Sequence, residues 1–169
     1  MYSRLHFRAS CRTLPATIPH ATALNGEEVV TPQDIALIRS NFAQLHRRKI
    51  ETACLFYERL FTTMPGTRVL FKTDIEAQAA KLIETLTVAL AMLNDPTGLN
   101  ALLARLGERH SGYGVRPAHY EAVRSALLWT LETSLGEAFT AQARTAWSEL
   151  YDQMAATMLA AATPSQRTA

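Results

Sequence analysis

The stretch Leu99-Asn-Ala-Leu-Leu-Ala-Arg-Leu-Gly-Glu-Arg-His110, followed at once by Ser-Gly-Tyr-Gly-Val115, decides how this chain is read. Leu99, Leu102, Leu103 and Leu106 recur at three- and four-residue steps, the period of one helix face, and His110 extends that face by a further turn. A histidine in this place has two readings. It is either a satisfied core or helix-end residue, or an axial ligand presented at a fixed point by a rigid element. The choice rests on what the remaining sequence places opposite it.

Helix signals run on both sides of this stretch. Thr31-Pro-Gln-Asp34 combines a capping hydroxyl, a proline at the first helical position and a carboxylate near the positive helix end. Ile35, Ile38, Phe42 and Leu45 then mark a buried stripe. A second helix is predicted from about Lys49 to Thr63, with Ile50, Ala53, Phe56, Tyr57 and Leu60 facing inward. Pro65 opens a short helix ending near Leu70. Asp74 starts a longer one, with Ile75, Gln78, Leu82, Leu86 and Ala89 on a common face, broken at Asn94-Asp-Pro96. Gly112 and Gly114 are predicted to close the His110 helix, because glycine tolerates the left-handed turn at a helix end. Pro117 opens the next helix, through Tyr120, Val123, Leu127 and Leu131, and Gly136 ends it. Thr140 to about Ala161 forms the last, through Trp147, Leu150, Tyr151 and Met154. No segment alternates in the manner of a strand, so the chain reads as one all-α domain.

Composition narrows the function classes. At 169 residues and 48% hydrophobic, the chain is long enough to bury one sizeable core. Its two cysteines, Cys11 and Cys54, allow no disulfide framework or thiolate cluster and fit a reducing, cytoplasmic setting. A formal charge of +2 argues against a nucleic-acid surface. Nothing approaches the ~18 uninterrupted apolar residues of a membrane span. His6, His20, His46 and His119 show no metal-ligand spacing among themselves and read as surface residues. Residues 1–30 differ in kind. They carry Arg4, Arg8 and Arg12 with no acidic residue before Glu27, and no apolar run long enough for a secretory signal. They read as a floppy extension, an unused upstream start or an arginine-rich transit peptide. The folded domain is expected over 31–162, with a frayed tail at 163–169.

Phe56-Tyr57, Leu60-Phe61, Pro65, Leu70-Phe71, Gln78-Ala-Ala-Lys81-Leu82, His110 and Trp147 occur in an order and spacing that resemble the globins. The likeness is to bacterial single-domain haemoglobins and the globin part of flavohaemoglobins. The segment from Leu106 through Tyr151 is also similar to the neuroglobins, with Leu-Gly-x-x-His, a Gly-Val pair, and Ala-Phe-Thr followed by Ala-Trp-Ser-x-Leu-Tyr. The resemblance covers about Thr31 to Ala161.

It implies the globin fold around a haem b, with His110 as the iron ligand and its other ring nitrogen donating to the Leu106 carbonyl. It implies Gln78 and Tyr57 as donors to a diatomic gas, Leu82 as the apolar wall beside it, and Phe71 packed flat on the porphyrin. Val115 becomes a haem-edge contact. Lys81 and Arg109 either pair with the propionates or are merely solvated.

Two departures qualify the resemblance. Tyr120 matches the tyrosine of the flavohaemoglobin proximal relay, but the position of the relay glutamate falls near Ala162. Gln78 stands where neuroglobins carry an iron-binding histidine, which favours an open sixth position unless Lys81 or Tyr57 swings in. The leading reading is reversible oxygen binding, for transport, storage or supply. A second is nitric oxide dioxygenation with a separate flavin reductase, since the sequence contains no Gly-x-Gly-x-x-Gly. A third is gas sensing, for which neither tail is large enough to form an output domain.

Overall fold

The helix starts are built by local side-chain chemistry. In the computed structural model, which describes residues 30–162, Thr31 and Asp34 form a reciprocal capping box. The Asp34 backbone N–H donates to Thr31 Oγ1 at 3.2 Å, and the Thr31 N–H donates to Asp34 Oδ2 at 3.1 Å. This opens α1, Pro32–Gln44. The second helix, α2, spans Lys49–Thr63 and leads into a 3-10 segment, Pro65–Leu70. Asp74 caps α3, Ile75–Ala91, by accepting the N–H groups of Glu76 and Ala77. Asp95 accepts the Gly98 N–H at 3.0 Å and opens α4, Pro96–Gly112, so the predicted Asn94-Asp-Pro96 break is also the next helix start.

His119, read from sequence as a plain surface residue, caps α5, Pro117–Leu135: its Nδ1 accepts the Arg116 N–H at 3.1 Å. The last helix, α6, covers Ala141–Ala162. No strand occurs among the described residues, and none of their helices is long and apolar enough to cross a membrane. The expectations for residues 1–29 and 163–169 lie outside the described residues.

One helix end differs from the prediction. Gly112 is the last residue of α4 rather than its terminator, and Tyr113 forms the C-cap, its N–H shared among the carbonyls of Arg109, His110 and Ser111. Only Gly114 there takes a left-handed conformation, at φ +79°. The extra helical residues follow from those satisfied carbonyls.

Packing separates three buried groups. The largest joins α1, α5, α6 and the end of α3 through Ile38, Leu90, Leu131, Phe139, Trp147 and Leu150. It contains a polar pair that periodicity does not reveal. The Trp147 indole N–H donates to Asn41 Oδ1 at 3.3 Å, while the Asn41 amide donates to the Ala138 carbonyl at 3.4 Å, so the buried amide is matched on both sides. Arg39 closes the end of α3, donating to the Leu90 carbonyl from Nε and Nη2 at 3.2 and 3.0 Å.

The other two groups define the site. One gathers Ala53, Phe56, Tyr57, Leu60, Ala79 and Ala126 from α2, α3 and α5. The other gathers Leu103, Tyr120, Ala155 and Met158 from α4, α5 and α6. The α4 helix packs chiefly on α6 and α3 chiefly on α2, while α3 and α4 are not closely packed on each other. The two buried walls are therefore carried by separate helix pairs, which leave a gap between α3 and α4.

Candidate functional site

His110 lies two residues before the end of α4, half-buried, on the wall that carries Leu103 and Leu106. Its Nδ1 stands 2.7 Å from the Leu106 carbonyl oxygen, the contact expected from the four-residue step. Because a carbonyl only accepts, Nδ1 carries the proton, and the lone pair of a neutral ring is assigned to Nε2. That is the state an imidazole needs in order to bind a metal, with its orientation already fixed. Among the described residues no group of three or more His, Cys, Asp or Glu could hold a metal ion.

Tyr120 stands behind His110, with ring centroids 6.3 Å apart and planes inclined by 35°. Its hydroxyl is buried with no hydrogen-bond partner, and burial raises its pKa. Tyr151 anchors the Tyr120 backbone instead, donating to its carbonyl at 2.7 Å. Among the described residues no acidic side chain bonds the Tyr120 hydroxyl. The Val115 N–H bonds the His110 carbonyl at 3.0 Å, which ties the chain leaving α4 back to the histidine.

The opposite wall is aromatic. Tyr57, only 5% exposed, stacks on Phe61 at 5.9 Å and meets Phe56 and Phe71 edge-on at 5.1 and 5.2 Å. Phe61 and Phe71 also meet edge-on at 5.4 Å, and the Arg68 guanidinium lies over the Phe61 ring. This cage fixes the Tyr57 ring, yet no hydrogen bond to a described residue uses its hydroxyl. Arg68 was not singled out from sequence. Phe61 entered the sequence reading as part of the Leu60-Phe61 pair, with no role of its own.

Burial, followed by the charge of nearby Cys54, pushes the Tyr57 pKa up to about 12. The phenol thus stays protonated, and a donor, at every physiological pH. A tyrosine pKa raised on folding contributes stability that is complete below about 10 and is lost as pH climbs toward the folded value. Chemical denaturation at pH 9 and 11.5 should show wild-type stability falling more than that of Tyr57→Phe. The difference should be up to about 2 kcal/mol. Equal losses in both proteins would mean that Tyr57 is not buried as described.

The remaining predicted residues are placed less uniformly. Leu82 and Phe71 are half-buried against the Tyr57 group. Gln78 lies one turn before Leu82 on α3, but its amide nitrogen donates to the Thr73 hydroxyl at an exposed position. Thr73 sits in the turn before the Asp74 cap, close enough to compete for that amide. Lys81 and Arg109 are exposed, as solvation or a contact at the mouth of the gap would require.

A residue three before His110 also matters. Gly107 is buried, and a Cβ there would lie 2.1 Å from the Met158 carbonyl oxygen of α6. The bare backbone lets α4 approach α6 closely and so sets where His110 stands. Its signal was present in Leu-Gly-x-x-His but was legible only as part of a pattern.

A family model described as Globin matches residues 55–158. Neuroglobin from Tetraodon nigroviridis is 28% identical over 145 residues, covering 78% of this chain and 91% of its own. Neuroglobin from Chaenocephalus aceratus matches to the same extent, and neuroglobin-2 from Oncorhynchus mykiss is 27% identical over the same coverage.

Proposed function

The chain belongs to the globin family, with its all-α fold, and from that premise we propose that it binds oxygen reversibly through a haem b held by His110. Membership implies a haem protein that takes diatomic gases; the oxygen role and the residue assignments are our reading. The observation that carries it is the His110 ring. Its Nδ1 is engaged by Leu106 at 2.7 Å, and its Nε2 is left for the iron. Haem, when bound, would supply an iron for His110 to hold and a place for the gas to bind.

Each wall then has a definite task. The Leu106 carbonyl holds His110 in one tautomer and one orientation. Phe71 and Leu82 exclude water from the gas side, which slows oxidation of the iron. Tyr57 donates its proton toward the gas without losing it, since its pKa is raised to about 12. Gln78 must leave Thr73 before it can donate. Lys81 and Arg109 are available to the propionates, where an exposed ion pair contributes only about 0–1 kcal/mol.

Tyr57→Phe should therefore speed oxygen release by about tenfold or more, the loss of one charge-assisted hydrogen bond. Carbon monoxide, with less charge on its outer atom, should respond less. Gln78→Leu should act in the same direction but more weakly. Flash photolysis and stopped-flow release rates measure all of these, and equal effects on both gases would indicate altered access instead. Absorption spectra of ferric, ferrous and oxygenated protein test the assignment as a whole.

The competing reading is nitric oxide dioxygenation. Sustained turnover requires one electron per cycle, and the sequence offers no Gly-x-Gly-x-x-Gly to bind the cofactor that would deliver it. We therefore expect the oxygenated protein, given nitric oxide and a reduced nicotinamide alone, to yield one nitrate per haem and stop. A separate flavin reductase should restart it at a rate set by the reductase. Continuous nitrate production without added reductase would make the enzyme reading primary.

A further inference from the structure

A cavity of about 430 Å³ lies between α1, α2, α3 and α5, with Trp147 of α6 on its wall and no residue from α4. It includes nothing of the helix that carries His110, and it lies behind the Tyr57 group, with which it shares Ala53, Phe56, Leu82, Ile83 and Leu127. We propose that this cavity is a second binding site, for a long-chain carboxylate of the fatty-acid class, which goes beyond the gas-binding role.

Three features of its wall support one occupant. First, Phe42, Phe56, Leu86, Leu90, Leu131 and Trp147 make most of the lining apolar. The volume is in the range of small-molecule pockets and more than ten times the ~30 Å³ share of one water, far beyond what a diatomic gas needs. Second, Thr130 borders the cavity, is 2% exposed, and its hydroxyl has no hydrogen-bond partner. A buried hydroxyl without a partner is costly, and an acceptor on a ligand removes that cost. Third, the charged side chains on the wall, Arg39 and Lys49, are both cationic, and no Asp or Glu lines it.

These groups have capacity to spare. Arg39 uses Nε and Nη2 on the Leu90 carbonyl, and Nη2 again on Ala91, while no hydrogen bond among the described residues uses Nη1. Lys49 takes part in no ion pair with a described residue. The polar groups with spare capacity are thus donors, two of them charged. An anionic, acceptor-only head on an alkyl chain is complementary to them, because charge-assisted bonds favour a carboxylate over an alcohol or an ammonium. A gas or an uncharged hydrocarbon would leave Thr130, Arg39 and Lys49 unused.

The test uses the purified haem-loaded protein and dansyl-undecanoate as a fluorescent probe, displaced by laurate, dodecanol or dodecyltrimethylammonium. One saturable site per chain is expected, with laurate preferred over dodecanol and the cationic detergent excluded. Shortening the carboxylate should weaken displacement about fourfold per methylene removed. Lys49→Glu should weaken laurate by about tenfold or more. Glutamate in the first turn of α2 suits the helix dipole, so that loss would not reflect misfolding. Thr130→Val, which keeps the shape and removes the hydroxyl, should weaken laurate several-fold with the haem spectrum unchanged.

Three results would overturn the proposal. One is the absence of saturable binding. Another is equal displacement by laurate and dodecanol with both variants unaffected, which would leave an apolar void without anion recognition. The third is loss of probe binding when cyanide occupies the haem, with a matching shift in its spectrum, which would place the fatty acid in the haem cleft.

Discussion

His110→Ala should yield a protein that keeps much of its helix but loses haem during purification. The reason is that the His110 ring is oriented by an acceptor at 2.7 Å from Nδ1, which leaves Nε2 for the iron. The buried groups on either side of the gap, around Tyr57 and around Leu103 and Tyr120, do not depend on the imidazole for their packing. Circular dichroism should therefore report retained helicity while the Soret band disappears or broadens. Imidazole added to the solution should restore a ligated spectrum in part, because the cavity left by the deleted ring can receive it.

His119→Ala is the matched control. That ring accepts the Arg116 N–H at the start of α5, so its loss should cost about 1 kcal/mol of stability and no haem. Full haem content and an unchanged ferrous spectrum in His110→Ala would remove the ligand assignment, and with it the oxygen-binding mechanism built on it.

Residues whose signal is local were legible in the sequence. Thr31, Asp74 and Pro117 mark helix starts because the donors they serve, or the N–H that proline lacks, lie within one turn. Tyr57 and Leu103 were assigned to buried faces by period alone. What stayed hidden is made by distant pieces of chain. The Asn41–Trp147 bond spans 106 residues, and nothing in the neighbourhood of Asn41 distinguishes it from a solvated amide. Ala79 is completely buried because α2 crosses α3 there, yet alanine is neutral to any periodicity reading.

The site was legible in a different sense. His110, Tyr57 and Phe71 came from a resemblance, and the structure supplies the hydrogen bond and the aromatic cage that give them physical content. Gln78 shows the limit of that route. A family position predicts which residue type faces the ligand, whereas the Thr73 hydroxyl that holds its amide belongs to this chain's own turn.

Gly107→Ala should be among the most damaging single-methyl additions in the chain. In an ordinary helix the change stabilises by about 1 kcal/mol, because alanine restricts the unfolded backbone. Here the new Cβ would stand 2.1 Å from the Met158 carbonyl oxygen and 2.8 Å from its carbonyl carbon and Cα. These are backbone atoms of α6, so no rotamer change relieves the overlap, and α4 must withdraw by roughly 1 Å. Overpacking of this kind costs about 3 kcal/mol, or roughly 10 °C in Tm for a chain of this size, and it outweighs the propensity gain. The withdrawal also carries His110, one turn further along α4, away from the opposite wall. Haem dissociation should therefore accelerate, measured by transfer to an apo-globin acceptor. Gly112→Ala isolates the cause: it lies in the same helix, meets nothing within 4 Å and takes no left-handed conformation. It should raise stability by about 0.5–1 kcal/mol and leave haem retention unchanged. If both substitutions stabilise alike, α4 does not lie against α6 as closely as described, and the position of His110 is not set by that contact.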